Sequence, residues 1–263
     1  MSNYKVVPMD EKTWRIEEEN PLCSVYMYLL AGEKEALLID AGYGKIPLDE
    51  IVASLTSLPV RVILTHGHFD HVGGTGRFER VWLHPADAEM YGNYAVSLAR
   101  QKREDMAKEQ TGAETGPQKI EPWLNETVTL LNVEEPLDLG GRRLKLIHVP
   151  GHSGGCICIL DEERGWLFTG DTCCEGDVLL NLQYSQKADV YLESLKKLEQ
   201  EKFSVTWPAH HRVPVEPEII QEFEEAAQLL CGKQAEGECV DTSFGPSRRL
   251  KHKRIGILYK DET

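Results

Sequence analysis

"VRVILTHGHFDHVGG", residues 60–74, is an apolar run that breaks into three histidines and one aspartate within six positions and then into a glycine pair. The β-branched run reads as a strand, and the switch to His, Gly and Asp marks where it ends. His66 and His68 flank Gly67, so at a strand end both imidazoles can point the same way, while the missing side chain at Gly67 lets the backbone turn sharply. The pair can share one metal ion. Asp70 and His71 stand at the entrance to the next helix, turned away from that pair and able to serve a neighbouring ion. Gly73-Gly74 lets that helix start close to the strand ends.

A dinuclear site needs more donors, and the chain supplies them at three further strand ends: His152 in "VPGHSGG", Asp171 in "FTGDT" and His210 in "WPAHH". His66, His68 and His152 then hold one ion and Asp70, His71 and His210 the other. Asp171 reaches both, because a bridging ligand between two cations must carry negative charge and two oxygens. Imidazole with carboxylate and no thiolate suits zinc, with iron or manganese as alternatives.

The rest of the chain frames these residues. "YKVVPM", "TWRIEE", "VYMYLLAG" and "EALLIDAG" read as an antiparallel meander, and "PLDEIVASLTSL" has helical spacing after a proline. After the quoted stretch come a short helix, the strand "RVWLH" and a helix beginning near "PADAEMYG". Residues 95–119 are charged and poor in apolar side chains, and are expected to be an inserted helical segment. Strands resume with "ETVTLL", "RRLKLIHV", "GCICIL" and "GWLFTGD". The amphipathic helix "ADVYLESLKKLEQE", the strand "FSVTWPAHH" and the helix "EPEIIQEFEEAAQLLCG" follow, then a C-terminal extension over about 233–263 with the basic run "SRRLKHKR" at 247–254. Two successive blocks of strands and helices without a linker suggest one layered α/β domain over 1–263.

Composition narrows the function classes. The chain has 263 residues and a formal net charge of −14, which disfavours phosphate backbones and anionic lipid as partners. No apolar stretch is long enough for a membrane helix, the first twenty residues are polar and acidic, and seven cysteines in scattered positions are not a disulfide framework. A cytoplasmic protein acting on a small molecule is the simplest expectation, with a homodimer compatible. His84, His148 and His252 read as ordinary satisfied polar residues. Cys156 and Cys158 alternate along an apolar strand and read as packing, and Cys173 and Cys174 as packing or pocket wall.

The motif HxHxDH at 66–71, with His152, Asp171 and His210 following in order and "LLIDAG" at 37–42, resembles the metallo-beta-lactamase superfamily. The resemblance covers the chain to about residue 212. It implies a four-layer αβ/βα sandwich with two mixed sheets, helices outside and metals at one edge. It also implies that Asp40 sits behind the metal ligands and orients them. One departure stands out: the last motif usually has glycine after its histidine, and here His211 follows His210, which leaves either as ligand, with His210 preferred for its spacing to Pro208.

Two divalent ions roughly 3.5–4 Å apart can share a water and lower its pKa toward neutrality, which makes hydrolysis the expected reaction. Asp70 or Asp171 would take up a proton. Within the superfamily the chain is most similar to glyoxalase II-like and lactonase-like single-domain members, so the expected substrate is a small thioester, ester or lactone. Tyr184, after the bridging aspartate, is a candidate donor to a substrate carbonyl. A mononuclear iron persulfide dioxygenase and a phosphodiesterase of the same superfamily are the alternatives. The cations Arg100, Lys102, Arg103 and Lys108 fit either a solvated helix face or a lid, and the basic run fits the chain's own acidic surface, a second copy or an acidic ligand.

Overall fold

The structure, a computed structural model, describes residues 3–21, 23–97, 124 and 128–260. The chain divides into two compact units, residues 1–131 and 132–263.

The first unit is built on one sheet of seven strands. Strands β1 (Tyr4–Asp10), β2 (Thr13–Glu18), β3 (Val25–Ala31) and β4 (Ala36–Ile39) pair antiparallel in sequence order, as the alternating runs predict. Helix α1 (Leu48–Leu55) starts after Pro47, carries Asp49 and Glu50 in its first turn, and buries Leu48, Ile51 and Val52. It is the crossover that lets β5 (Val60–Ile63) lie parallel to β4. The one-turn helix α2 (Phe69–Val72) holds the end of the quoted motif, β6 (Val81–Leu83) adds parallel to β5, and helix α3 covers 88–97. β7 (Thr129–Leu130) closes the order as the last strand. The expected insertion at about 95–119, with its four cations, lies outside the described residues except for 95–97 in α3.

The second unit has two sheets. In the first, β8 (Leu137–Asp138), β9 (Arg143–His148), β10 (Ile157–Asp161), β11 (Trp166–Gly170) and β13 (Val205–Pro208) lie in the order β13-β11-β10-β9-β8. Only β11 and β13 run parallel, with α4 (Ala188–Glu199) in the crossover between them. Helices α4 and α5 (Glu218–Cys231) pack together, Tyr191 edge-on to Phe223 at 6.2 Å between ring centroids. Their apolar stripes, Leu192, Leu195 and Leu198 on one and Ile219, Ile220 and Phe223 on the other, join a core that takes in Cys156, Cys158, Cys173 and Cys174. The four cysteines are packing residues, as expected, and burial pushes the Cys158 thiol up to about 12.

The other sheet departs from the simple picture of a trailing extension. Residues 238–259 form β14 (Glu238–Thr242), β15 (Gly245–His252) and β16 (Ile255–Tyr259), and β16 pairs parallel with β12 (Asp177–Leu180). The described residues thus form three mixed sheets. The basic run lies in β15 and the turn after it and meets the chain's own carboxylates. Arg249 makes a two-point pair with Asp177 at 2.9 Å, His252 and Lys253 share Glu225, and Arg254 reaches Glu216 at 2.8 Å. β15 carries its charges on a strand whose buried positions are few, whereas β16 between it and β12 is apolar and almost wholly buried.

Candidate metal centre

Each unit carries a group of histidine and aspartate side chains at one edge of a sheet. In the first unit β4, β5 and β6 run parallel, so the segments leaving their C-terminal ends lie side by side. Asp40 follows β4, the His66–His71 motif follows β5, and Asp87 follows β6. His66 and His68 stack edge-on at 4.8 Å between centroids, and His66 lies 4.1 Å from the ring of His71. His71 Nε2 is 3.8 Å from an Asp70 carboxylate oxygen. The three imidazoles and Asp70 are therefore gathered, and His71 lies beside His66, whereas the spacing predicts that it turns away.

Buried hydrogen bonds decide which imidazole nitrogens face the cluster. Asp40 accepts from His71 Nδ1 at 2.8 Å, from the Thr65 amide at 2.7 Å and from the Thr65 hydroxyl at 2.9 Å. The Thr65 hydroxyl spends its one proton on that carboxylate, so its oxygen accepts from His66 Nδ1 at 3.1 Å. Both rings then carry the proton on Nδ1 and present the lone pair of Nε2, the form a metal ligand requires. Asp40 thus stands behind His71, bonded to its Nδ1; it holds φ of 65°, a left-handed backbone that aspartate tolerates better than most residues. Thr65 is the part sequence reading missed, because nothing in a threonine beside a histidine distinguishes a relay from a strand residue.

Glycine packing sets the loop backbone. A Cβ on Gly73 would overlap the carbonyl oxygen of Tyr43, and one on Gly74 the carbonyl oxygen of Ala41. The glycine pair is needed because the 41–44 loop lies against it. That loop is latched by Glu18, which accepts from the amides of Tyr43 and Lys45, each at 2.9 Å; burial raises its pKa even so.

In the second unit β9, β11 and β13 point the same way, and His152, Asp171 and His210 lie just beyond their C-terminal ends. His152 Nε2 lies 3.4 Å from one oxygen of Asp171 and His210 Nε2 lies 3.4 Å from the other. Both separations exceed the roughly 2.7–3.2 Å of a good hydrogen bond, so the carboxylate stands between two imidazoles with one oxygen toward each. The backbone carbonyl of Leu179 can only accept, which fixes the proton of His152 on Nδ1 at 2.9 Å and leaves Nε2 toward Asp171.

His211 goes elsewhere. Its φ of 64° turns the ring against Gly176, and its centroid is 6.3 Å from that of His210. The left-handed backbone accounts for the glycine usual after this histidine in the resembling family. Desolvation, reinforced by His210, holds the His211 pKa below the usual imidazole value. Tyr184 lies in the turn after β12, half-buried, and the adjoining Ser185 hydroxyl donates to the His152 carbonyl at 2.9 Å. The histidines expected to be ordinary are so: His84 caps a turn through the Ala86 amide, His148 bonds the Gly154 carbonyl and His252 pairs with Glu225.

A sequence profile described as the Metallo-beta-lactamase superfamily matches residues 20–210, which spans the Asp40 strand, the HxHxDH motif and the three later donors. The chain belongs to the metallo-beta-lactamase superfamily. Its fold agrees: it superposes on a metallo-beta-lactamase from Pontibacter korlensis with a TM-score of 0.59 at 18% identity, covering 86% of this chain and 99% of that one. A metallo-beta-lactamase family protein from Thermus thermophilus gives 0.60 at 25% identity over 89% of this chain and 83% of that one. Among curated proteins, the acyl-coenzyme A thioesterase MBLAC2 of Gallus gallus is 32% identical over 65% of this chain and 65% of its own length, and that of Homo sapiens 30% over 65% and 66%. The chain thus matches just under two thirds of those relatives' length. An atrochrysone carboxyl ACP thioesterase of Aspergillus fumigatus is 24% identical over 79% of this chain and 59% of its own. Family membership and the donor groups of histidine and aspartate are compatible with divalent metal binding. Among the described residues, no helix is long and apolar enough to cross a membrane.

Proposed function

We propose that this superfamily member is a binuclear metal-dependent hydrolase of acyl thioesters, with zinc as the resident metal. His66, His68 and His152 would hold one ion and Asp70, His71 and His210 the other, with Asp171 shared. The observation that carries the metal assignment is the presentation of Nε2 by His66, His71 and His152, each with Nδ1 engaged behind it by a hydroxyl, a carboxylate and a carbonyl. The thioester assignment is supported by the likeness to the acyl-coenzyme A and ACP thioesterases, and it narrows the wider class of thioesters, esters and lactones.

Bound divalent ions supply a water acidified toward neutral pH and a positive field for the developing oxyanion. The chain does the rest. Asp70 and Asp171, with side chains 26% and 17% exposed beside the buried imidazoles of His71 and His152, are partly open to solvent, and either carboxylate can hold the proton released as water is spent. Hydrolysis puts the water oxygen on the acyl carbon, breaks the C–S bond and returns a proton to the departing thiolate. Tyr184 is proposed to donate to the substrate carbonyl, which Tyr184→Phe tests as a loss in kcat with metal content unchanged.

The deciding experiment measures metal content of the purified protein and hydrolysis of acyl-coenzyme A substrates of graded chain length, beside a lactone and a phosphodiester. Two metals per chain with thioester cleavage is the expected result. One iron per chain with no thioester cleavage would replace hydrolysis by the dioxygenase alternative, and preference for the phosphodiester would replace the substrate class.

A further inference from the structure

The β5 ladder ends at Leu64, whose amide donates to the Trp82 carbonyl of β6 at 3.0 Å. Beyond that point the chain leaves the strand ladder and carries His66 and His68, and residues Thr65, His66 and Gly67 are buried. A buried amide needs an acceptor. The Thr65 amide is taken by Asp40, from the segment after β4, at 2.7 Å. The Gly67 amide, between the two histidines, is taken by a carboxylate oxygen of Asp87, from the turn after β6, at 2.9 Å. The two strands that flank β5 thus each send one aspartate to hold the ligand loop where the ladder lets it go.

Asp87 is built into that position. It is 1% exposed, sits in the turn Pro85–Asp87 that opens α3, and its own amide donates to the His84 carbonyl at 3.1 Å. The fit at the Gly67 α-carbon is close too. A Cβ at Gly67 would come within 3.2 Å of the Asp87 Cβ and 3.3 Å of its carbonyl oxygen, tighter than ordinary packing. Glycine at 67 and aspartate at 87 are two halves of one contact: the absent side chain lets the turn approach, and the carboxylate then captures the amide that the approach buries.

We propose that Asp87 is a positioning residue for the His66–His68 pair, the counterpart from β6 of Asp40 from β4. It acts through the Gly67 backbone and sets the spacing of the two imidazoles, whereas Asp40 sets the tautomer and direction of His71. A hydrogen bond to a carboxylate is stronger and shorter than one to a neutral acceptor, so the loop is held more firmly than a strand end alone would hold it.

The inference rests on the reading that His66 and His68 bind metal, and the test separates the two. Cobalt(II) is titrated into metal-free wild type, Asp87→Ala and Asp87→Asn, recording affinity and the visible ligand-field spectrum, with circular dichroism to establish folding. Wild type that binds no cobalt overturns the metal reading and this inference with it. With wild type binding, Asp87→Ala is expected to lose affinity about 10-fold or more, within the roughly 10–100-fold range for groups behind a ligand, with an altered spectrum. A folded Asp87→Ala whose affinity falls less than threefold overturns the proposal while leaving the metal reading intact. Should Asp87→Ala fail to fold, Asp87→Asn decides, since it keeps the shape and an acceptor but not the charge. A threefold or greater loss there supports positioning, and wild-type affinity and spectrum overturn it.

Discussion

The two groups of proposed metal donors, one in each unit, are built by different means. In the first unit four donors lie within six consecutive residues, and their directions are set by side chains: Asp40 on His71, Thr65 on His66, Asp87 on the loop between the histidines. In the second unit three donors come from three separate loops, and their directions are set by the sheet: β9, β11 and β13 end at one edge, and a backbone carbonyl from β12 fixes His152. A contiguous ligand loop must leave the ladder and therefore needs acceptors brought to it. Donors placed singly at strand ends inherit their position from register. The first group is thus open to disruption by one polar side chain, and the second mainly by changes to its own members.

Substitutions can break this contrast. The largest effect is expected for Asp171→Ala, which removes the carboxylate standing between two imidazoles. Acyl-thioester hydrolysis should fall well beyond the ~10–100-fold expected for a supporting residue, and metal analysis should show fewer than two ions per chain. Asp40→Ala follows, with a loss of about 10–100-fold in metal affinity. It also strips acceptors from the buried Thr65 amide and His71, and each orphaned group costs about 1–3 kcal/mol, so the melting temperature of the metal-free protein should fall as well. An Asp40→Ala protein as stable as wild type would remove the difference drawn between the two groups.

Glycine substitutions probe the loop backbone without touching a donor. Gly73→Ala drives a Cβ into the Tyr43 carbonyl and should destabilise by about 1–3 kcal/mol or more in chemical denaturation, because backbone rather than a flexible side chain is in the way. Gly92→Ala in α3 has nothing within 4 Å of its new Cβ and should stabilise by about 0.5–1 kcal/mol through helix propensity. His211→Gly is expected to be milder. The left-handed backbone costs about 1–2 kcal/mol for a side-chain-bearing residue, and glycine returns about 0.5–1 kcal/mol of that to the unfolded chain. A small net gain in stability with unchanged metal content is the expected outcome, and a lost metal equivalent would make His211 rather than His210 the ligand.

The smallest effect concerns pH. Hydrogen bonds from Arg254 and Arg212 hold the exposed Glu216 carboxyl down to about 2, below its ordinary value. A carboxyl depressed in the folded state stabilises the protein above its unfolded pKa, and that contribution is lost as pH falls from about 4.5 toward 2. Glu216→Gln should slightly flatten the melting curve over that window at low salt, and about 1 M salt should erase most of the difference by screening.

The sequence was most legible where chemistry is contiguous. HxHxDH, its glycines and the strand before it announce a ligand loop because the residue types change together within a few positions, and the meander of β1–β4 announces itself by alternation. Strand order followed less directly. β8 and β12 are too short for a period to register, and β14 and β15 carry charges where apolar residues were sought, Arg249 of β15 being paired with Asp177 of β12. Thr65 and Asp87 gave no signal, because a hydroxyl or carboxylate becomes a positioning group only through the distance to its partner.

By itself the sequence determined the residue types able to bind a divalent ion, their order, and the superfamily to which they belong, because ligand chemistry and strand-end glycines are properties of local composition. Only the tertiary structure decided which nitrogen of each imidazole is presented, that His211 turns away from His210, and that the basic run is neutralised by the chain's own acids. Those outcomes depend on which backbone and side-chain groups meet across the sheets, and proximity between residues distant in the chain arises only on folding.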